Sequence, residues 1–269
     1  YFGKGKGVTV YSFIDDCNRL FHSTVISPAE REAAYVIDGL LQNEVVKSDI
    51  HSTDTHGYSE IVFGISDLLG ITFAPRIKGF KDQRLYSFEK TSLYKKLNYT
   101  VLPDRVINTE IISDNWDDIL RLITTIKLRV STASQLFKRL SSYSRQHILY
   151  TAIKEYGKII KSIFLIKYID DVKLRQSIEK QINKLESSNK LAKAVHFGNN
   201  QEFQQSTKEE QLIAEGCKRL IENAIICWNY LYLTWLIANT ENKDEKNNLI
   251  KTIKNSSVVA WEHINFQGE

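Results

Sequence analysis

Methionine is missing from this chain of 269 residues altogether, its first position included. That absence leads to the expectation of a piece of a longer protein, cut just before a strand. Cysteine is scarce too, and Cys17, Cys217 and Cys227 make neither an even disulfide set nor a Cys-x-x-Cys pair. Such usage excludes a disulfide-stapled scaffold and points to free thiols in a reducing interior. It also speaks against structural zinc. His51 and His56 flank Asp54, but neither has a second His or Cys at zinc-ligand spacing nearby. His56 is expected to serve the turn there or to support a ligand from behind.

No secretory leader is visible, because Tyr1-Phe-Gly-Lys-Gly-Lys-Gly7 has no long apolar core. The most apolar stretch, residues 224–238, falls short of the ~20 residues of a membrane span and contains Asn229. A buried helix is expected there. Gly3, Gly5 and Gly7 alternate with lysines but lack the Gly-Lys-Ser/Thr ending of a phosphate-binding loop. Two uses of that segment stay open: a turn whose Lys4 and Lys6 touch a nucleic-acid backbone, or a plain lead-in to a hairpin. Charge of one sign is in small excess, net +4, which permits nucleic-acid binding without demanding it. What the chain does have is 42% hydrophobic content, sufficient for a substantial core in one large domain or two smaller ones.

Residues 8–15 and 21–27 are rich in β-branched and aromatic side chains across a short polar turn and predict an antiparallel hairpin. A helix is expected from about Pro28 to Leu41. A β-suited run, 45–53, leads to Asp54, and Ile61, Val62, Ile65, Leu68 and Leu69 then form a helical stripe ending near Gly70. A short strand over 71–77 follows. This order, an α/β (α+β) arrangement, is what an RNase H-like core would show with its first strand missing from the amino end. From Trp116 onward the periodicity is almost wholly helical, with 243–248 expected as a charged linker and 258–266 as a small docking element. The expected division is a catalytic core over 1–165, with a helical insertion over about 78–145, and a mostly helical C-terminal region over 166–269.

Two acids carry the chemistry. Asp54 stands where a strand ends, and ligands of open α/β sheets gather at the carboxyl ends of strands, with Gly57 letting the backbone turn. Capping of the following helix by Asp54 or Thr55 explains the same local pattern equally well. Glu155 lies at the margin of a helical stripe formed by Leu149, Ala152, Ile153, Tyr156, Ile159, Ile160, Ile163 and Phe164, with Lys154, Lys158 and Lys161 on the other face. At that margin a carboxylate is oriented by packing yet reaches solvent and metal. A solvated pair with Lys158 at i,i+3, worth ~0.2–0.5 kcal/mol, is the competing explanation. Residues 78–112 interleave Lys78, Lys81, Arg84, Lys90, Lys95, Lys96 and Arg105 with Phe80, Tyr86, Phe88, Tyr94 and Tyr99. This composition suits phosphate contact and stacking, and equally a solvated face over buried rings.

Several segments together resemble the C-terminal catalytic region of the Tn3 family of replicative, cointegrate-forming bacterial DDE transposases. They are Gly7–Asp16 with Phe21-His22, Asp38–Leu41, Thr53–Tyr58, Phe73–Ile77, Trp116–Leu122, Glu155-Tyr156-Gly157, Trp228–Leu233 and Trp261–Asn265. They run in order along nearly the whole chain. Where the family pattern reads Asn-Lys-Gly-Glu, this chain has Leu185 in place of the glycine. The resemblance implies that Asp54 and Glu155 are the second and final acids of a metal-binding DDE triad, and that the first acid precedes Tyr1. Asp16 also matches a family position and is expected to be structural. The resemblance further implies magnesium or manganese, in all two ions, that activate a water and later a DNA 3′-hydroxyl for strand transfer. Its expected partners are transposon-end and target DNA, contacted by Lys4, Lys6, Arg76, Lys78, Lys81 and Arg84, and further copies of the intact transposase, with no membrane. The expected location is the bacterial cytoplasm, with the nucleoid. A noncatalytic DNA-binding or assembly module and an RNase H-like nuclease are the alternatives.

Overall fold

Strands β1 (Thr9–Ile14) and β2 (Leu20–Ile26) pair antiparallel, Thr9 opposite Ile26 and Ser12 opposite Ser23, with a bulge between Phe13 and Ile14. The predicted hairpin is therefore present. The computed structural model describes residues 8–26, 32–41, 49–54, 59–141, 147–196, 205–266 and 268. Contacts divide the chain into two compact units, one of residues 1–30 with 183–269, the other of residues 31–182.

The second unit begins with α1 (Glu32–Leu41), then β3 (Ile50–His51), α2 (Glu60–Leu68) and β4 (Thr72–Phe73). The start of the predicted helix near Pro28 and most of the run 45–53 fall outside the described residues. β3 and β4 pair in parallel, and bonds from the Thr72, Ala74 and Arg76 N–H groups to the Asp49, His51 and Thr53 carbonyls (2.8–2.9 Å) prolong the ladder beyond the assigned strands. Fully buried Phe63 of α2 meets Phe73 edge-on at 5.0 Å and Phe164 at 5.5 Å, so one ring joins strand, helix and helix.

Residues 78–112, read from sequence as a basic and aromatic segment, contain more order than that description implies. After a turn of 3-10 helix (Phe80–Asp82) come β5 (Tyr86–Ser87), α3 (Thr91–Lys96), β6 (Arg105–Val106) and α4 (Thr109–Asp114). β5 and β6 are a parallel pair of two-residue strands. The Asp104 carboxylate accepts from the Leu85 N–H at 2.7 Å, and the Thr91 hydroxyl donates to the Pro103 carbonyl at 2.8 Å. Such ties are tertiary and leave no periodic trace. Helices α5 (Trp116–Lys127), α6 (Ala133–Ser141) and α7 (Ile148–Asp170) follow. Buried Asp38 of α1 accepts from the Ala133 and Ser134 N–H groups at 2.6 and 3.2 Å, satisfying the donors that open α6.

Helix α8 (Val172–Val195) spans the division between the units. In the first unit it is followed by α9 (Lys208–Asn239) and α10 (Lys243–Asn255). The charged linker expected over 243–248 is instead the opening of α10. Asn242 accepts from the Asp244 and Glu245 N–H groups at 2.9 and 3.3 Å, and those two acids favour the positive end of a helix. Docking of the tail is as predicted: the Asn229 amide donates to the Val258 and Ala260 carbonyls, both at 2.8 Å, and Val259 is buried beside Leu20, Leu191 and Ile226.

The expectation of a buried apolar helix over 224–238 is overturned in an instructive way. Helix α9 buries a polar stripe, Glu215, Lys218, Glu222 and Asn229, around Ile226, while Trp228 (53%), Leu231 (60%) and Trp235 (59%) are exposed. The reason lies in the polar residues beside that stripe. Asn223 brackets Leu20 of β2, its amide oxygen accepting from the Leu20 N–H and its NH2 donating to the Leu20 carbonyl, both at 3.0 Å, and Arg219 donates to the Ser23 hydroxyl at 3.2 Å. By length and composition α9 is the one helix among the described residues able to cross a membrane. Its Arg219 and Asn223 bond the hairpin, and its Asn229 bonds the tail.

Within that stripe Lys218 lies 2.6 Å from Glu215 and 3.8 Å from Glu222. Burial pushes the Glu222 carboxyl up from 4.5 to about 7, with Lys218 opposing and Glu215 reinforcing the rise. A carboxyl with a raised folded pKa adds stability below its unfolded pKa, and that contribution is lost as pH rises through about 7. Glu222→Gln is therefore expected to raise the unfolding temperature at pH 8 and to lose the advantage by pH 5, which thermal melts across that range would check.

Candidate active site

The site is built around a close crossing of α2 and α7. A Cβ on Gly157 would sit 1.7 Å from the Glu60 carbonyl oxygen, and one on Gly64 would sit 3.1 Å from the Ile153 carbonyl oxygen. At Gly157 only a hydrogen lets the two backbones touch, and at Gly64 a methyl would be crowded. Lys161, one turn beyond Gly157, donates to Glu60 at 3.1 Å, and Tyr156 donates its hydroxyl to Asp67 at 2.6 Å. Burial would raise the Glu60 carboxyl, yet Lys161 and its other donors hold it below the usual range. The crossing also turns α7 relative to the stripe expected from sequence. Lys161, assigned there to the outer face, is buried, and Ile163, assigned to the core, is exposed.

Glu155 stands two positions before Gly157, on the same helix. Its carboxylate is oriented at both oxygens: Lys158 donates to Oε1, and the Asn108 N–H donates to Oε2 at 3.1 Å. The i,i+3 pair considered from sequence is thus present but hardly solvated, the two side chains being 12% and 17% exposed. The Lys158 ammonium lies 5.1 Å from the centroid of the Tyr86 ring. Tyr86 in turn donates its backbone N–H to the Ser162 hydroxyl at 2.9 Å. Burial, then the charge of Glu60, pushes the Tyr86 phenol up, so the ring stays neutral. Asn108 and the Glu60–Lys161 pair escaped the sequence reading of the site, while Lys158 entered it only as a competing partner of Glu155 and Tyr86 only as a ring of the basic segment. The Lys158 spacing alone was a usable signal.

Asp54 is half-buried, directly after buried Thr53, whose carbonyl takes the last parallel-ladder bond from Arg76. The N-cap position of α2 is Ser59. Residues 55–58, with His56 and Gly57, lie outside the described residues. Asp54 therefore ends the ladder that precedes α2, while Glu155 sits beside the point where the first residue of α2 meets α7. Lys78, Lys81 and Arg84 are exposed, whereas Arg76 is largely buried and paired with Glu179 at 3.4 Å. Lys4 and Lys6 are outside the described residues.

Carboxylate oxygens are the ligands hard divalent cations take, and a protein cation already seated on Glu155 marks that oxygen as a place where positive charge is held. Glu155 thus offers one oxygen of the kind such an ion takes. Among the described residues, one trio of acidic or thiol ligand atoms lies within 4.8 Å of one another, Asp15, Asp16 and Cys17. It is occupied otherwise. Arg19 holds both Asp15 oxygens at 2.6 and 2.7 Å, and Asp16 pushes the Cys17 thiol up, away from the thiolate a metal would need. Asp16, expected to be structural, gives its carbonyl to Lys184 at 2.5 Å.

The model of the Tn3 transposase DDE domain matches residues 1–269. This chain belongs to that family. Among curated relatives, the transposase for transposon Tn1546 of Enterococcus faecium is 39% identical over 270 residues, covering 100% of this chain and 27% of the relative. The transposase for transposon Tn21 of Escherichia coli is 33% identical, with the same coverage, and that for transposon gamma-delta of Escherichia coli K12 is 32% identical, covering 100% of this chain and 26% of the relative. The chain spans about a quarter of the length of the curated relatives it matches. The resemblance noted from short segments is thereby established for the whole chain.

For the Tn3-type domain the α2–α7 joint makes a sharp stability prediction. Gly157→Ala is expected to cost about 3 kcal/mol or more, the upper range for overpacking against backbone that cannot retreat. Gly216→Ala, whose Cβ meets nothing within 4 Å inside α9, should stabilise by roughly 1 kcal/mol. Urea denaturation of the two variants would measure both signs.

Proposed function

We propose that this chain is the catalytic region of a replicative transposase, which cleaves transposon ends and joins the freed 3′-hydroxyl to target DNA. The observation that carries this is the placement of Glu155: a family acid, oriented at both oxygens, beside the joint formed by the helix that follows Asp54. In this proposal residues 1–165 form an RNase H-like core and 166–269 the helical remainder. Asp54 and Glu155 would supply carboxylate oxygens to a divalent ion, magnesium or manganese, with another acid of the intact protein completing the triad. When bound, a pair of such ions lowers the cost of charge on the attacking and leaving oxygens. The protein's own part is positional. The joint fixes the height of Glu155 along α7, and Asn108 fixes its rotamer.

The exposed lobe between Lys78 and Arg105 supports DNA contact in the same reading. Lys78, Lys81 and Arg84 face solvent beside exposed Phe80 and Phe88, so that charge meets phosphate and rings remain for stacking. Arg76, bound to Glu179, is included among the DNA contacts, and so, from sequence, are the glycine-flanked Lys4 and Lys6. The partners are transposon-end and target DNA, and further copies of the transposase, in the cytoplasm with the nucleoid.

In the full-length protein, Asp54→Ala or Glu155→Ala should abolish metal-dependent cleavage and strand joining while leaving the circular dichroism spectrum unchanged. Joining at the parental rate by either variant would remove that residue from the site. Cleavage without joining would mark a nuclease instead, and salt-sensitive DNA binding without either step would mark an assembly module. Replacing Lys78, Lys81 and Arg84 together by Gln should flatten the dependence of log affinity on log salt by roughly 2–3 in slope. Fluorescence-anisotropy titrations on duplex DNA at several salt concentrations would show it.

A further inference from the structure

We propose that Lys158 is a positioning residue that occupies Glu155 as a stand-in cation and yields the carboxylate to a divalent ion, with the Tyr86 ring as the lysine's second seat. The inference rests on the reading of Glu155 as a metal-binding acid and adds to it a residue that sets the affinity of the ion.

Three observations carry it. Glu155 and Lys158 are both mostly buried, so their attraction is little screened by solvent. Each Glu155 oxygen has its own partner: the Asn108 N–H holds Oε2, and Lys158 holds Oε1. The Asn108 contact is set by the start of α4, where the Asn108 side chain accepts from the Ile111 N–H at 3.2 Å, so this hold persists whatever takes Oε1. A divalent ion on Oε1 would repel the ammonium, and a buried ammonium without a partner is costly. The face of Tyr86, 5.1 Å from the ammonium nitrogen, already offers it an alternative. The neighbouring lysine of α7, Lys161, is engaged instead with Glu60. The exchange moves one side chain and breaks no covalent bond.

The test is a titration of the full-length protein with Mn2+ alone, free ion being read by electron paramagnetic resonance. Lys158→Met should tighten Mn2+ binding about ten-fold, the scale of removing one nearby unit charge from a partly screened site. Lys158→Gln should act in the same direction, which guards against a packing artefact of the Met side chain. Lys158→Arg should stay close to the parent. Tyr86→Leu should weaken binding several-fold, because the lysine loses its alternative seat and holds Glu155 harder. In a Glu155→Ala background, Lys158→Met should have no effect, the coupling that a double-mutant cycle isolates. Unchanged or weaker binding in both Lys158→Met and Lys158→Gln, with Glu155→Ala still weakening it, overturns the exchange alone. If Glu155→Ala leaves Mn2+ affinity intact, the metal reading of Glu155 falls, and the exchange with it.

Discussion

Everything in the second unit depends on two helices meeting where neither has a side chain. The approach of α2 to α7 leaves no room for even a methyl group at Gly157 and would crowd one at Gly64. Register along α7 is therefore set by a point rather than by an interface of compressible side chains. Phe63, next to one of those glycines, then ties the joint to β4 and to Phe164. The position of Glu155 follows from these contacts, since it lies within one helical turn of the crossing.

Several charges of this protein are paired inside the fold, beside the many displayed outside. Lys161 serves Glu60, Lys158 serves Glu155, and Lys218 stands between Glu215 and Glu222. A buried pair gains little net stability after desolvation, but breaking it is expensive, so such pairs favour one arrangement over its neighbours. For the proposed metal-binding role of Glu155, such pairing has a functional side. A carboxylate held by an ammonium is oriented by a partner that can still be exchanged.

The hairpin was legible because alternation and β-branching act over adjacent residues, and α2 because its stripe Ile61, Val62 and Ile65 is wholly buried. Glu155 was legible as an acid at a stripe margin, and Asp54 as an acid ending a strand. The facing of α7 was not, since a glycine inside a helix removes a bulge from one side and periodicity counts only what is apolar. Lys161 went inward for that reason. The lobe between Tyr86 and Val106 was illegible in another way: two-residue strands joined by the Asp104 and Thr91 side chains have no period to detect. In α9 the apolar count was right and the direction wrong, because Asn223 and Asn229 find backbone partners on the inner side. At α10, composition suggested solvent and the cap at Asn242 decided for helix.

That inverted helix has a calorimetric corollary. Residues such as Trp228, Tyr230 and Leu231 are already wet in the native fold, so melting α9 uncovers less new hydrocarbon than its composition suggests. Heat-capacity increments and denaturant sensitivities scale with freshly hydrated area, and polar area carries the opposite sign. The first unit should thus melt with a shallower, broader temperature profile than a domain of equal size with a conventional oily interior.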